Sequence, residues 1–206
     1  MIERLLKTKM LLLGAMLMLL VACSGEKSLE PLASDATIVA FGDSLTDGVG
    51  ASKGKAYPDV LSELTGLEVI NAGVSGEVTA EGVQRLPLVL ETHNPQLVIL
   101  MEGGNDILRN LNQAQTKANL SKMIEMVRLS GADVVLMGIP EKNLFSDSAG
   151  FYEELAREHK VVFDGETMSD LLKTRSYKSD SIHLNNQGYR VLAETIYELL
   201  QEQGAL

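Results

Sequence analysis

Four short segments of this 206-residue sequence carry side chains that together could perform acyl transfer. That chemistry needs a nucleophile, a base that accepts its proton, a group that orients the base, and hydrogen-bond donors for the oxyanion. The first segment, GDSL at 42–45, offers the hydroxyl of Ser44. The last, DSIH at 180–183, places Asp180 shortly before His183. Two distant segments therefore supply the side-chain types of a serine hydrolase triad.

The two middle segments supply candidate donors for the oxyanion. The sequence NAGVSGEVT at 71–79 contains Gly76, and a glycine lets a backbone N–H approach a ligand closely. The sequence GGND at 103–106 contains Asn105, whose side-chain amide is a further donor. With these two segments, every group that acyl transfer requires is present in the chain.

Each of these residues also has a structural interpretation. Ser44 follows Gly-Asp and could simply cap a helix. Gly76 could be only a turn glycine, and Asn105 could bond loop backbone. His183 could be a surface residue near a helix start, although the helix dipole disfavours positive charge there. The combination of four segments, more than any one of them, favours chemistry.

The first three segments each follow a short apolar run, and helical patterns separate the runs. Most of the runs are nearly continuous in apolar residues, as in parallel strands covered on both faces. The pattern predicts strands at 37–41, 67–71, 97–101, 133–137 and 161–163. It predicts helices at 57–64, 79–91, 113–129, 150–159 and 187–201, with Pro87 kinking or splitting the second. This alternation predicts a three-layer α/β/α fold whose strand ends meet at one edge, where such folds place their sites.

Composition and motifs argue against several other functions. The net charge of −10 disfavours binding to nucleic acid, and no basic cluster is present. The motif G-x-G-x-x-G fails at Lys53, and the phosphate-binding P-loop motif fails at Val49 and Ala56. No cofactor is therefore expected.

No metal site is expected from the loop acids or the remaining histidines. The loop carboxylates of Asp43, Asp47 and Asp106 have no recognisable ligand spacing and are better interpreted as groups that bond loop backbone. His93 lies in a turn and His159 ends a helix, so both have a structural interpretation.

The four segments, in this order, resemble those of the SGNH (GDSL-type) hydrolase family. The resemblance covers residues 37–200 and is closest to the bacterial thioesterase, arylesterase and lysophospholipase group, with AYP at 56–58 and RLP at 85–87 also similar. It implies a flavodoxin-like, five-stranded parallel sheet and hydrolysis of esters or thioesters. It also implies that the substrate is a small ester or a lipid.

The resemblance also implies a role for each residue. Ser44 would be the nucleophile, His183 its general base, and Asp180 the group that orients the imidazole. The oxyanion donors would be the backbone N–H groups of Ser44 and Gly76 and the side chain of Asn105. No catalytic position departs from the family pattern.

The expected substrate contacts lie on two loops. In the resembled group the loop at 107–112 lines the acyl site, and a second loop follows the fourth strand. The candidate contacts are Ile107, Leu108, Pro140 and Phe145. Leu144, Phe151 and Tyr152 could join an acyl pocket or could instead pack on the sheet.

The N-terminus has the pattern of a bacterial lipoprotein. Residues 1–22 combine basic residues with an apolar run too short to span a bilayer, which is typical of a signal peptide. The sequence LVAC at 20–23 resembles a lipobox and predicts lipidation of Cys23, and residues 24–35 predict a flexible tether. The hydrolase domain would be 36–206. Ser24 indicates anchoring to the outer membrane, facing the periplasm; the alternative is a soluble periplasmic protein.

Three functions remain open from the sequence. The first is a membrane-tethered serine esterase that acts on carboxylic esters, including lysophospholipids and acyl thioesters. The second is an O-acetyl esterase of envelope polysaccharide, and the third is a catalytically silent lipoprotein that binds envelope components. The intact quartet of segments argues against the third, since binding alone would not require Ser44, Asp180 and His183 together.

Overall fold

The computed structural model describes residues 28–141 and 148–206. The predicted signal peptide, Cys23, Leu144 and Phe145 lie outside the described residues.

A five-stranded parallel sheet forms the centre of the domain. Its strands are β1 (Thr37–Gly42), β2 (Glu68–Gly73), β3 (Leu97–Met101), β4 (Asp133–Met137) and β5 (Val162–Asp164). Their spatial order is β2-β1-β3-β4-β5, and every pair is parallel. This is the flavodoxin-like order that the resemblance implies. The strand order turns at β1, and Ser44 follows β1.

Helices cover both faces of this sheet. They are α1 (Ser44–Asp47), α2 (Tyr57–Thr65), α3 (Thr79–His93), α4 (Gly104–Leu108), α5 (Gln113–Leu129), α6 (Gly150–His159), α7 (Thr167–Lys173) and α8 (Asn186–Glu202). Helices α2 and α7 pack on α8, and α3 and α6 pack on α5. The predicted three-layer α/β/α architecture is confirmed. The sequence missed α1, α4 and α7, because segments of four to seven residues are too short to show a helical period.

Pro87 lies inside α3 and does not split it. The helix is continuous from Thr79 to His93. Proline removes one intrahelical hydrogen bond, but the apolar face that includes Leu86 and Leu90 is buried against the core. Tertiary packing therefore outweighs the local cost.

The segment that was predicted to be a flexible tether is docked over its described part. The Leu29 and Leu32 N–H groups donate to the carbonyl oxygens of Gln203 and Ala205, at 3.2 and 2.9 Å. The Leu29 side chain is 7% exposed. The prediction of flexibility to residue 35 is thus wrong from residue 28 onward, because Leu29 is buried and Leu32 partly buried against the domain.

The docked segment lies at the N-terminal edge of the sheet. The Glu30 N–H donates to the carboxylate of Asp133, the first residue of β4, at 3.0 Å. The Ala33 N–H donates to the side chain of Gln96, just before β3, at 3.3 Å. Within residues 28–141 and 148–206, the helices are all too short or too polar to cross a membrane.

Candidate active site

Ser44 lies at the C-terminal end of β1, as the first residue of α1. The N-cap of this helix is Asp43, whose Oδ1 accepts a hydrogen bond from the Leu45 N–H at 3.0 Å. The structural alternative for Ser44, helix capping, is therefore wrong, because Asp43 fills that role. The Ser44 hydroxyl instead lies 3.1 Å from Nε2 of His183.

His183 and Asp180 lie in the loop that precedes α8. Nδ1 of His183 is 2.8 Å from Oδ2 of Asp180. The other carboxylate oxygen of Asp180 accepts from the backbone N–H groups of Ile182 and His183, at 2.8 and 2.9 Å. These bonds fix the carboxylate within its own turn, so that it orients the imidazole from one side. A protonated Nδ1 leaves Nε2 free to accept a proton from Ser44.

The pKa of Asp180 reflects two opposing effects. Desolvation raises it, but the hydrogen bonds from the Ile182 N–H and from His183 outweigh desolvation and lower the pKa below its usual value. The carboxyl group is half-exposed and is charged at neutral pH. It can therefore stabilise an imidazolium on His183.

Asn105 joins the first and second segments through its side-chain amide. Its Nδ2 donates to Oδ2 of Asp43 at 3.1 Å and to the carbonyl oxygen of Glu77 at 2.9 Å. The two amide hydrogens are thus both directed at protein acceptors. Ser44 and Asn105 line the same cavity.

Gly76 lies in a tight turn of the second segment. The Glu77 N–H donates to the carbonyl oxygen of Val74 at 3.1 Å, and Gly76 has φ 82°, a left-handed conformation that favours glycine. Arg109 donates to the Gly76 carbonyl oxygen at 2.9 Å and so ties this turn to the end of α4. Gly73 has a different role, because a Cβ there would lie 2.0 Å from the Asp47 nitrogen.

The remaining loop acid of the third segment has a structural role. Asp106 accepts from the Thr79 N–H and hydroxyl at 2.9 and 2.6 Å, and from the Thr116 hydroxyl at 3.1 Å. This is the loop-bonding role predicted for it. In the described ranges, no group of three or more histidine, cysteine or acidic residues could hold a metal ion.

A cluster of buried acids beneath the site was missed by sequence reasoning. Its members are Asp43, Glu77, Glu102 and Asp106, all at most 5% exposed. Arg85 neutralises Glu77 through two hydrogen bonds of 2.8 and 2.6 Å, and its guanidinium also lies over the Phe41 ring, 4.1 Å from the centroid. The only sequence signal was a charged residue, Glu77, inside a glycine-containing loop.

Burial shifts the ionisation of two of these acids. Desolvation raises the pKa of Asp43 to about 6, despite the hydrogen bond from the Leu45 N–H and the nearby His183. Desolvation and the nearby Asp43 raise the pKa of Glu102 well above its usual value. The Gly103 N–H donates to Oε2 of Glu102 at 2.7 Å and lowers this pKa in part.

An apolar cavity opens beside Ser44 and His183. It contains three of the four predicted substrate contacts, Ile107, Leu108 and Pro140, while Phe145 lies outside the described residues. Sequence reasoning missed the other apolar lining residues, which are Leu45, Ile139, Leu172 and Ile182.

The suggestion that Phe151 and Tyr152 join this pocket is wrong. Tyr152 is fully buried and its hydroxyl donates to the Glu102 carbonyl oxygen at 2.7 Å. Phe151 stacks on Tyr152, with ring centroids 4.4 Å apart. Both rings belong to the packing of α6 on the sheet. His159, at the end of α6, bonds the hydroxyl of Ser121 at 2.8 Å, in line with its structural interpretation.

The amino-acid sequence matches a known protein family and a well-covered relative. A family model described as GDSL-like Lipase/Acylhydrolase family matches residues 40–191. The chain is 30% identical over 173 residues to thioesterase 1/protease 1/lysophospholipase L1 of Escherichia coli K12, covering 80% of this chain and 83% of that one.

Two solved structures have the same fold. AlinE4, an SGNH-hydrolase family esterase, is 31% identical with a TM-score of 0.64, covering 83% of this chain and 97% of that one. The psychrotrophic esterase EstA from Pseudoalteromonas sp. is 22% identical with a TM-score of 0.73, covering 82% and 98%.

Proposed function

Because the chain belongs to the GDSL-like lipase/acylhydrolase family and is therefore a serine ester hydrolase, we propose that it cleaves carboxylic esters through Ser44, His183 and Asp180. One observation carries this proposal. The Ser44 hydroxyl, both ring nitrogens of His183 and the Asp180 carboxylate form a continuous chain of contacts of 3.1 and 2.8 Å.

In the proposed reaction, Oγ of Ser44 attacks the carbonyl carbon of the ester while Nε2 of His183 accepts the hydroxyl proton. Asp180 stabilises the imidazolium that forms. The tetrahedral intermediate collapses as the imidazolium protonates the leaving alcohol oxygen, which leaves an acyl group on Ser44. Water then attacks this acyl-enzyme by the same route and releases the acid.

The proposed oxyanion donors are the backbone N–H groups of Ser44 and Gly76 and the side chain of Asn105. Since both amide hydrogens of Asn105 already bond to protein acceptors, the oxyanion must take or share one of them. The bond to the Glu77 carbonyl is the shorter of the two. We therefore assign the hydrogen that faces Asp43 to the oxyanion.

The apolar cavity supports an acyl group as the part of the substrate that it binds. Ile107, Ile139 and Leu172 offer dispersion contacts and few hydrogen-bond partners, which suits a hydrocarbon chain more than a sugar. Lysophospholipids and acyl thioesters are included in the proposed range. The name of the E. coli relative, a thioesterase and lysophospholipase, supports this range.

We also propose that Cys23 carries a lipid anchor and that the enzyme works in the bacterial cell envelope, facing the periplasm. The support for this is the lipobox-like LVAC at 20–23 after a basic and apolar N-terminus. Mass spectrometry of the membrane-extracted protein would detect acylated Cys23 as the N-terminal residue.

The function can be tested with the full chain purified in detergent. Initial rates are measured on p-nitrophenyl acetate, butyrate and octanoate and on a lysophospholipid, with Ser44→Ala as the matched control. We expect hydrolysis by the wild type and a loss of at least about 10³-fold in the variant. Equal rates from the two proteins would contradict the serine mechanism. A preference for acetate alone would favour the O-acetyl esterase.

A further inference from the structure

The N-terminal segment and the catalytic residues lie at opposite ends of the domain. His183 lies just before the first residue of α8, and Ser28 and Leu29 bond to Gln203, just after its last residue. This helix has 17 residues and at 1.5 Å per residue is about 25 Å long. The contacts of Glu30 and Ala33 at the start of β4 and before β3 place the segment at the same far edge.

The chain between Cys23 and the docked segment is too short to offset this separation. Ser28 is the fifth residue after Cys23, and five residues span at most about 18 Å when fully extended. If the active-site opening faced the anchoring membrane, the length of α8 would separate Ser28 from the membrane surface. Ser28 would then lie about 25 Å or more from that surface. A lipid on Cys23 could not then reach the bilayer unless the segment from Ser28 detached.

Detachment is opposed by the contacts that hold the segment. Leu29 is buried, and four backbone N–H groups from residues 29–33 bond to the domain. Burial of the Leu29 side chain stabilises the docked state, and the hydrogen bonds add to this. The domain is therefore attached to its anchor by its N-terminal edge.

We propose that the anchored enzyme holds its active-site opening away from the membrane that carries Cys23, so that its substrates are esters that arrive through water and not lipids of the anchoring leaflet. This inference rests on the proposed lipid anchor and deepens the proposed function. Under this proposal, the enzyme cleaves lysophospholipids that have been released into the aqueous phase. It does not cleave lysophospholipids that remain embedded in the membrane beside the anchor.

The orientation can be measured without relying on catalysis. The lipidated full chain is bound to phosphatidylethanolamine and phosphatidylglycerol vesicles that contain a headgroup energy-transfer acceptor. Cys23 is the sequence's only cysteine and its sulfur is taken by the lipid, so a dye can be placed on Leu129→Cys or on Leu111→Cys alone. Both side chains are exposed; Leu129 is the last residue of α5, and Leu111 lies two residues before its first.

We expect distinctly higher energy transfer from position 129, at the N-terminal edge of the sheet, than from position 111, at the C-terminal edge. Equal or reversed transfer would overturn the inference, as would failure of the protein to stay on the vesicles. Inserting about 30 Gly and Ser residues between Lys27 and Ser28 should reduce the difference, since such a linker reaches about 30 Å on average.

The consequence for substrates is tested with the same two tethers. A fluorogenic ester on the headgroup of a non-exchanging dialkyl lipid, in the same vesicle as the enzyme, should be cleaved at least tenfold more slowly with the natural tether than with the extended one. A water-soluble fluorogenic ester should be cleaved at equal rates. Equal cleavage of the lipid-borne ester would overturn the inference. If neither protein cleaves the soluble ester, the proposed function fails, and the energy-transfer result still decides the orientation.

Discussion

Oδ2 of Asp43 accepts a hydrogen bond of 3.1 Å from Nδ2 of Asn105, a residue 62 positions later in the chain. This contact joins the GDSL turn after β1 to the GGND turn after β3. Asp43 also caps α1 through its other oxygen. It therefore holds the turn that carries Ser44 and the candidate oxyanion donor in one arrangement, a positioning role that the sequence did not indicate.

The first prediction concerns Asp43→Asn. Oδ1 of the new side chain can still accept from the Leu45 N–H, so its NH₂ group would face the NH₂ group of Asn105. Two donors cannot bond to one another, so Asn105 should lose its position. We expect kcat to fall about 10- to 100-fold with KM changed by less than about threefold, because the lost interaction acts on the transition state. Asp47→Asn, the same change at an exposed site on α1, should be neutral; equal losses in both would contradict the positioning role.

The second prediction concerns the stability of the same variant at different pH values. Burial raises the pKa of Asp43 to about 6 from 3.8, so the folded protein holds a proton there that the unfolded chain releases. Wild-type stability therefore falls relative to Asp43→Asn as the pH rises from about 4 to about 6. We expect the difference in the free energy of unfolding between the wild type and Asp43→Asn to change by about 3 kcal/mol over this range. Urea titrations at pH 4, 5, 6 and 7 measure it; a constant difference would show that Asp43 does not titrate in this range.

The third prediction concerns Asp180→Asn. The Oδ1 of asparagine can keep the bonds from the Ile182 and His183 N–H groups, but its NH₂ would then face Nδ1 of His183. That arrangement favours the tautomer protonated at Nε2, which cannot accept the proton of Ser44. We expect kcat to fall on the order of 10²-fold or more with little change in KM. An unchanged kcat across pH 6–9 would show that Asp180 takes no part in the mechanism.

The fourth prediction concerns Arg85, the partner of buried Glu77. Arg85→Leu leaves a carboxylate that is 5% exposed without its cation and removes the contact with Phe41. We expect a loss of about 3 kcal/mol in the free energy of unfolding, measured by urea titration. Adding Glu77→Gln to Arg85→Leu should recover part of the lost stability, because the buried side chain is then uncharged.

A matched control for this prediction is available on the surface. Lys117 also pairs with two carboxylates, Glu154 and Glu158, but both are more than half exposed. Lys117→Met should therefore cost much less than Arg85→Leu. Comparable losses would show that burial does not set the importance of these pairs.

The sequence predicted those parts of the fold and site that local patterns encode. All five strands and the five long helices were predicted from apolar runs and periodicity. Ser44, Asp180, His183 and Asn105 were predicted as site residues because their motifs lie at the ends of predicted elements. The structure brings these four together at one edge of the sheet.

Contacts between residues that are distant in the sequence could not be predicted from local patterns. The bond between Asp43 and Asn105 and the placement of Leu172 at the active site depend on how distant segments meet. An apolar residue of a pocket has the same pattern as one of the core, which is why Leu172 was missed and Tyr152 was wrongly considered for the pocket. Leu29 was misjudged because a short docked segment has no period to detect.

The central claim, that Ser44 is the nucleophile activated by His183, is tested most directly by active-site labelling. The full chain is treated with a fluorophosphonate, and the modified peptide is identified by mass spectrometry. We expect one phosphonyl group per protein, on Ser44, with no labelling of Ser44→Ala and labelling at least 100-fold slower in His183→Ala. Modification of a different residue, or equal labelling of the wild type and Ser44→Ala, would contradict this account.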